Sequence, residues 1–374
     1  MRLLAPCALA FTVAAIAPQP APLPARSAQV YPAIPAHTAL GFANARLPWR
    51  FAFPRDHAAH FAFQTEWWYY TGHLRARDGR RFGYELTFFR YGLRPGDTQP
   101  QPGESRWRGN QVFPVHLALT DERGRRFAYD ERFAREALGM GHASDRALEV
   151  VADDWTLRGS ETFRMRAASS AFALDLVQRS RKPPAVHGFA GVSLKGPCPT
   201  CASHYYSMTR LATSGTLTYD GERLRVEGQS WMDHEFGSGQ LERDEPGWDW
   251  FSIQLDDGRE LMDYRLRRDD GTLTRESSGS LIARNGSVHH LALTDMVVAA
   301  LGTWKSPHTA AVYPSGWRVR VPSARLDLTL TPVLRDQELA DTAGGISYWE
   351  GAVDVADSVT QKRLGEGYVE LTGY

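Results

Sequence analysis

The chain has 374 residues, enough for two domains of ordinary size. Its 43 lysines and arginines balance 43 aspartates and glutamates, so it lacks the basic surplus that a nucleic-acid partner would want. Hydrophobic content of 43%, with 11 tryptophans and 33 glycines, suits β-hairpins and aromatic-lined pockets better than a helical bundle.

The N-terminus reads MRLLAPCALAFTVAAIAPQPAPLPARSAQV. Arg2 is a minimal positive start, and Leu3 to Ala17 is an apolar run too short to span a bilayer. We read residues 1–28 as a signal peptide, with Ala17, Ala25 and Ala28 as candidate cleavage sites, and 29–45 as a Pro/Ala-rich spacer. The expected location is therefore exported, periplasmic or secreted. Export bears on the cysteines that remain beyond Cys7, which are Cys198 and Cys201 in GPCPTCASHYY. A disulfide across this short loop is the expectation, with free thiols or a redox or metal role as the alternatives.

Past residue 45 the chain reads as strand and turn repeatedly. Asp78-Gly79, Arg123-Gly124, Asp220-Gly221, Asp257-Gly258, Asp270-Gly271 and Asn285-Gly286 are hairpin signals. Apolar residues alternate with others in Phe82-Tyr84-Leu86-Phe88, Val115-Leu117-Leu119, Phe172-Leu174-Leu176 and Leu326-Leu328-Leu330. Two windows read as helical, 130–138 and 293–301. Trp67, Trp68, Tyr69 and Tyr70 are consecutive, so large rings point to both faces of one strand. A Trp-rich strand, a DGR turn and a second strand occur at 67–90 and again at 248–268, which suggests two related β-domains. The charged SGQLERDEPG segment marks their boundary, giving domains at 46–240 and 241–374. The expected fold is all-β, two tandem antiparallel barrels.

The motifs EWWYYTGHL (66–74), HYYSMTRLATSGTL (204–217), GQSWMDHEFGSG (228–239), GWDWFSIQLDDGRELMDY (247–264), YPSGW (313–317), YWEGAVDV (348–355) and GEGYVELTGY (365–374) resemble the carotenoid 1,2-hydratase-like family, also called AttH-type lipocalin-like proteins. The resemblance implies lipocalin-like barrels. Some members of that family hydrate isolated double bonds, and many bacterial members are exported and associated with ABC-type export systems. The hydratases' catalytic His and Asp match His234 and Asp263 here. Their Trp two residues after the His is Phe236, and their Tyr two residues before the Asp is Leu261. Both replacements remove polar or cation-binding groups, and shift the expectation from alkene hydration toward ligand binding.

The candidate catalytic residues are thus Asp263 and His234. Water addition to an unactivated alkene needs a carboxylic acid kept neutral by burial, and aromatic faces that stabilise a cation. The candidate ligand-binding residues are Glu66, Trp67, Trp68, Tyr70, Trp231, Trp248 and Trp250. With Asp257-Gly258 as a two-residue turn, Ser252 would pair with Asp263, and Asp263 would share a polar-aromatic face with Trp250. Asp233 and Glu235 share one side of a strand and His234 the other, a poor three-ligand metal set. Asp56, His57 and His60 have metal-like spacing in loop-like sequence. We expect no metal and no cofactor. The leading functional expectation is an exported protein that binds an apolar small molecule or lipid, with docking to an envelope transporter complex. The alternative is a hydro-lyase that hydrates an isoprenoid double bond.

Overall fold

A computed structural model describes residues 37–374, apart from 96–102, 104, 106, 199, 240, 242, 243, 341 and 343–346. The expected signal peptide and the first part of the spacer lie outside the described residues. Those that are described form strands and short 3-10 turns, arranged as two large antiparallel sheets. None of them forms a helix long and apolar enough to cross a membrane.

The first sheet contains β1 (Thr65–Ala76), β2 (Arg81–Gly92), β3 (Gln111–Asp121), β4 (Arg126–Arg135), β5 (Gly141–Ala143), β6 (Leu148–Ala152), β7 (Trp155–Gly159), β8 (Thr162–Ala168), β9 (Phe172–Ser180), β10 (Ala185–Val186), β11 (Ser193–Leu194), β12 (Ala202–Tyr219) and β13 (Glu222–Gly237). Its order is β4-β3-β2-β1-β13-β12-β9-β8-β7-β6-β5, and β3 and β4 come back against β5 and β6, so the barrel is nearly closed.

The second sheet contains β14 (Gly247–Leu255), β15 (Glu260–Arg267), β16 (Ser278–Ile282), β17 (Val288–Ala292) and β18 (Val297–Ala300). A separate hairpin follows, β19 (Thr303–Lys305) with β20 (Val312–Pro314). The sheet resumes with β21 (Trp317–Val321), β22 (Leu326–Pro332), β23 (Glu338–Leu339), β24 (Tyr348–Asp357) and β25 (Arg363–Thr372). Its order, β17-β16-β15-β14-β25-β24-β22-β21-β18, makes a half-barrel. In both sheets the last long strand returns to pair with the first, β13 with β1 and β25 with β14. This is the repeat foreshadowed by the two DGR hairpins.

The alternating residues behave as their period requires. Phe82, Tyr84, Leu86, Phe88, Val115, Leu117, Leu119, Phe172, Leu174 and Leu176 fill the first barrel. Leu326, Leu328 and Leu330 fill the second. Each fully buried ring or branched side chain of this kind contributes about 1.5–3 kcal/mol. Asp220 and Gly221 both have positive φ (50° and 75°), as the tight two-residue turn between β12 and β13 requires.

Three local expectations are corrected. The 130–138 window is extended as far as Arg135 and paired to β3, because the ladder hydrogen bonds of a neighbouring strand outweigh a weak helical pattern. The 293–301 window holds one 3-10 turn, Leu293–Asp295, and then β18. The β14–β15 turn has three residues, Asp256-Asp257-Gly258, with Gly258 at φ 87° and Leu255 N–H donating to Arg259 O at 2.9 Å. That one-residue difference pairs Phe251, not Ser252, with Asp263, and turns Asp263 to the opposite face of the sheet.

Candidate functional site

The barrels meet along the outer faces of β1 and β13. On β1, Trp68 and Tyr70 point into the first barrel while Trp67 and Tyr69 point out toward the second. Gly83 allows the close approach, since a Cβ there would lie 2.7 Å from Tyr368 Oη and 2.8 Å from Ala352 Cβ. Buried polar contacts stitch the seam: Tyr69 Oη donates to Glu350 Oε1 at 2.8 Å, and His116 Nδ1 meets Tyr348 Oη at 2.7 Å.

At one end of this seam lies a cavity of about 300 Å³. Trp67, Tyr69, Phe89, Trp248, Trp250 and Leu266 give it an apolar lining. Asp233, Glu235, Glu370 and Lys195 bring charge to it. The cavity lies between the barrels, whereas the first barrel's own interior is filled by apolar side chains and the buried Glu66–Arg90–His234 cluster.

The four ionisable groups differ in state. Lys195 Nζ lies 2.9 Å from Glu235 Oε1 and over the rings of Tyr205 and Tyr264, at 4.8 and 4.2 Å from their centroids. Burial works against the ammonium, but Glu235, Tyr264 and Asp233 together outweigh it and hold the Lys195 proton on. Burial pushes Asp233 up to about 7, although Ser207, Tyr205 and Trp231 all donate hydrogen bonds to it. His187 Nε2 lies 2.6 Å from Ser207 Oγ and extends this chain away from the cavity. Burial also pushes Glu370 up to about 7, helped by the charges of Asp233 and Glu235. Among the described residues Glu370 accepts one hydrogen bond, from Trp248 Nε1 at 2.9 Å to Oε2. At neutral pH this pair therefore holds both a carboxylic acid and a carboxylate.

Behind Glu370, Glu350 sits directly across the β24–β25 ladder, and Glu85 faces it from β2. Both are fully buried, and burial raises both well above the usual carboxylate range, with neighbouring carboxylates adding to the shift. A buried acid raised in this way stabilises the fold fully below the free-carboxyl value of 4.5 and loses that contribution as pH rises through its folded value. Glu350→Gln keeps the acceptor for Tyr69. Its Tm should match the parent near pH 4.5 and exceed it by a few degrees near pH 9. A Tm difference independent of pH would contradict this assignment.

The residues singled out from sequence fall into three places. Trp67, Trp248 and Trp250 line the cavity, and Trp231 packs edge-on behind Trp250 at 6.1 Å. Glu66, Trp68, Tyr70 and His234 lie on the opposite faces of β1 and β13, inside the first barrel. There Glu66 accepts from Arg90 Nε at 2.8 Å, His234 Nε2 at 2.8 Å and His60 Nδ1 at 2.9 Å. Burial opposes its charge, but Arg90 and the two imidazoles hold Glu66 well below its usual range. His234 stacks on Trp68 with ring centroids 4.9 Å apart. His60, Glu66 and His234 are spaced as metal ligands could be. The fixed Arg90 charge on the same carboxylate works against a cation, and both imidazoles already bond it. Asp263 lies in neither place. It is buried on the second barrel's inner side and bonded by Arg265 Nε at 2.8 Å. The structure thus separates Asp263 from His234, and neither reaches the cavity. Cys198 and Cys201 form a disulfide in the loop between β11 and β12, which also carries Lys195.

Sequence reasoning passed over Glu370 and Lys195 as site residues. Glu370 alternates with Glu366 and Tyr368 on one strand face, which was a usable signal. Lys195 gave none.

Comparison with known proteins bears on this arrangement. The AttH-like family model matches residues 44–374. The chain belongs to the AttH-like family. An AttH-assigned protein of Nitrosomonas europaea is 32% identical to this AttH-like chain with a TM-score of 0.80, covering 89% of this chain and 100% of its own. Kievitone hydratase from Nectria haematococca shares the fold at 14% identity and a TM-score of 0.66, over 92% of this chain and 98% of its own. CghA, solved with Sch210972, shares it at 13% and 0.51, over 83% and 88%. No curated protein sequence matches the chain.

Proposed function

We propose that this AttH-like protein takes an apolar, alkene-bearing small molecule into the cavity between its barrels and acts on it as a hydro-lyase. The observation that carries this reading is the convergence of Asp233 and Glu370, both raised to about 7, on a cavity walled by Trp67, Trp248 and Trp250. The hydratase among the structural neighbours agrees with it but, at 14% identity, supports the fold alone.

The chemistry follows from the protonation states. Glu370, bonded among the described residues by Trp248 alone, gives its proton to one alkene carbon. The cation on the other carbon faces indole rings. Water attacks that carbon, and Asp233, held as an acceptor by three donors, takes the proton the water loses. One proton passed from Asp233 to Glu370 resets the pair. The sum is addition of H and OH across the double bond.

The apolar lining also favours a second reading, an exported carrier that passes its ligand to an envelope transporter. One experiment separates the two. Extracted and synthetic acyclic isoprenoid alkenes are incubated with the protein in D2O. A hydro-lyase adds D and OD to the alkene, and a carrier returns it unlabelled in a stable complex.

A further inference from the structure

At the opposite end of the same seam lies a second concavity, a polar groove of about 990 Å³. The β1 face that carries Trp67 and Tyr69 into the apolar cavity carries Arg75 into this groove. Arg75 lies six positions beyond Tyr69, about 20 Å along a strand, so the two sites are distinct. Six arginines line the groove, and they divide into two sets. Arg81, Arg210 and Arg363 are committed: Arg81 to Glu122 and Asp354, Arg210 to Glu260 and Gln229, Arg363 to Asp256 and Glu366. Arg75, Arg77 and Arg225 are exposed and, among the described residues, have no ion pair or side-chain hydrogen bond. Against them stands one unpaired carboxylate, Glu227, opposite Arg75 across the β1–β13 ladder and not in an ion pair with it.

Arginines left to water are common on convex surfaces. Here they converge on a concave site of ligand size, across the strand ends of two sheets. Guanidinium groups grip phosphate oxygens through paired N–H donors, and several together favour a ligand carrying more than one negative charge. We propose that this groove is a binding site for a phosphate-bearing anion, held by Arg75, Arg77 and Arg225 and separate from the apolar cavity. Glu227 weakens the site by like-charge repulsion with the anion.

Calorimetric titration of the folded protein with inorganic pyrophosphate at low salt tests this. Saturable binding is expected, at least about tenfold weaker in the Arg75→Ala, Arg77→Ala, Arg225→Ala triple variant. It should be tighter in Glu227→Gln and weaker as salt rises. Because these side chains are exposed and unpaired, the variants should keep the parent's Tm. Sedimentation with phosphatidylglycerol vesicles, against phosphatidylcholine alone, identifies the source. Pyrophosphate binding without vesicle binding marks a soluble phosphoanion. Phosphatidylglycerol-dependent sedimentation that the triple variant loses marks a lipid headgroup. Neither pyrophosphate nor vesicle binding at low salt, or binding that the triple variant and Glu227→Gln leave unchanged, overturns the proposal.

Discussion

Replacing Arg90 by Met should lower the unfolding free energy by about 3–5 kcal/mol, read by chemical denaturation at neutral pH. Arg90 is wholly buried, and it donates to Glu66 Oε2 at 2.8 Å, Gln111 Oε1 at 2.7 Å, Phe63 O at 2.8 Å and His60 O at 3.1 Å. Its removal leaves a buried carboxylate with His234, whose charge is suppressed by burial, and with His60, which is raised against burial by Asp56 and Glu66 together and so is shared between two carboxylates. The cost is the stranded charge, more than the lost pair. Adding Glu66→Gln to Arg90→Met should therefore recover part of the loss. An exposed pair offers a contrast: Arg126 and Asp220 lie 2.7 Å apart with both side chains 57% exposed, and Arg126→Ala should leave the unfolding free energy close to the parent's. A loss in Arg90→Met as small as that would contradict the picture of a charge-dependent core in the first barrel.

Glu370→Gln should reduce alkene turnover by about 10²–10⁴-fold while leaving binding of an apolar probe close to the parent's. Glutamine keeps the acceptor for Trp248 but carries no transferable proton. Asp233→Asn should be comparably slow, since the water would then lose its base. The two carboxyls titrate as a pair, so their macroscopic values belong to both. Turnover needs one protonated and one ionised, so its pH profile should be a bell centred near 7, falling in acid as the base is protonated and in alkali as the acid is lost. Trp67→Ala should act differently, weakening binding of N-phenylnaphthylamine through loss of a cavity wall. A pH-independent rate, or full activity in Glu370→Gln, would remove the acid from the mechanism.

Much of the fold was legible because a period of two leaves few choices when one face must be apolar. Phe82 to Phe88 and Leu326 to Leu330 went where their alternation pointed. The four rings from Trp67 to Tyr70 did cover both faces of β1, and Asp233 and Glu235 did share one side of β13 with His234 on the other. The position of the site was less legible. Alternation says that two faces differ but not which one lines a cavity, and both faces of β1 are apolar. Asp263 was misplaced by a single loop residue, because a three-residue turn with Gly258 at positive φ and a two-residue turn leave the same Asp-Gly signature. Glu370 owes its state first to burial where β25 packs against the first barrel and then to Asp233 and Glu235 nearby, a contact between distant segments that no local pattern records.

The proposed function depends on a guest that sits between the barrels and not within one. Its most direct test is a crystal structure of the protein soaked with N-phenylnaphthylamine, the neutral apolar probe used above. The expected density is bounded by Trp67, Trp248 and Trp250, within reach of Glu370. Density inside the first barrel, beside Trp68 and His234, with the space between the barrels unfilled, would contradict it.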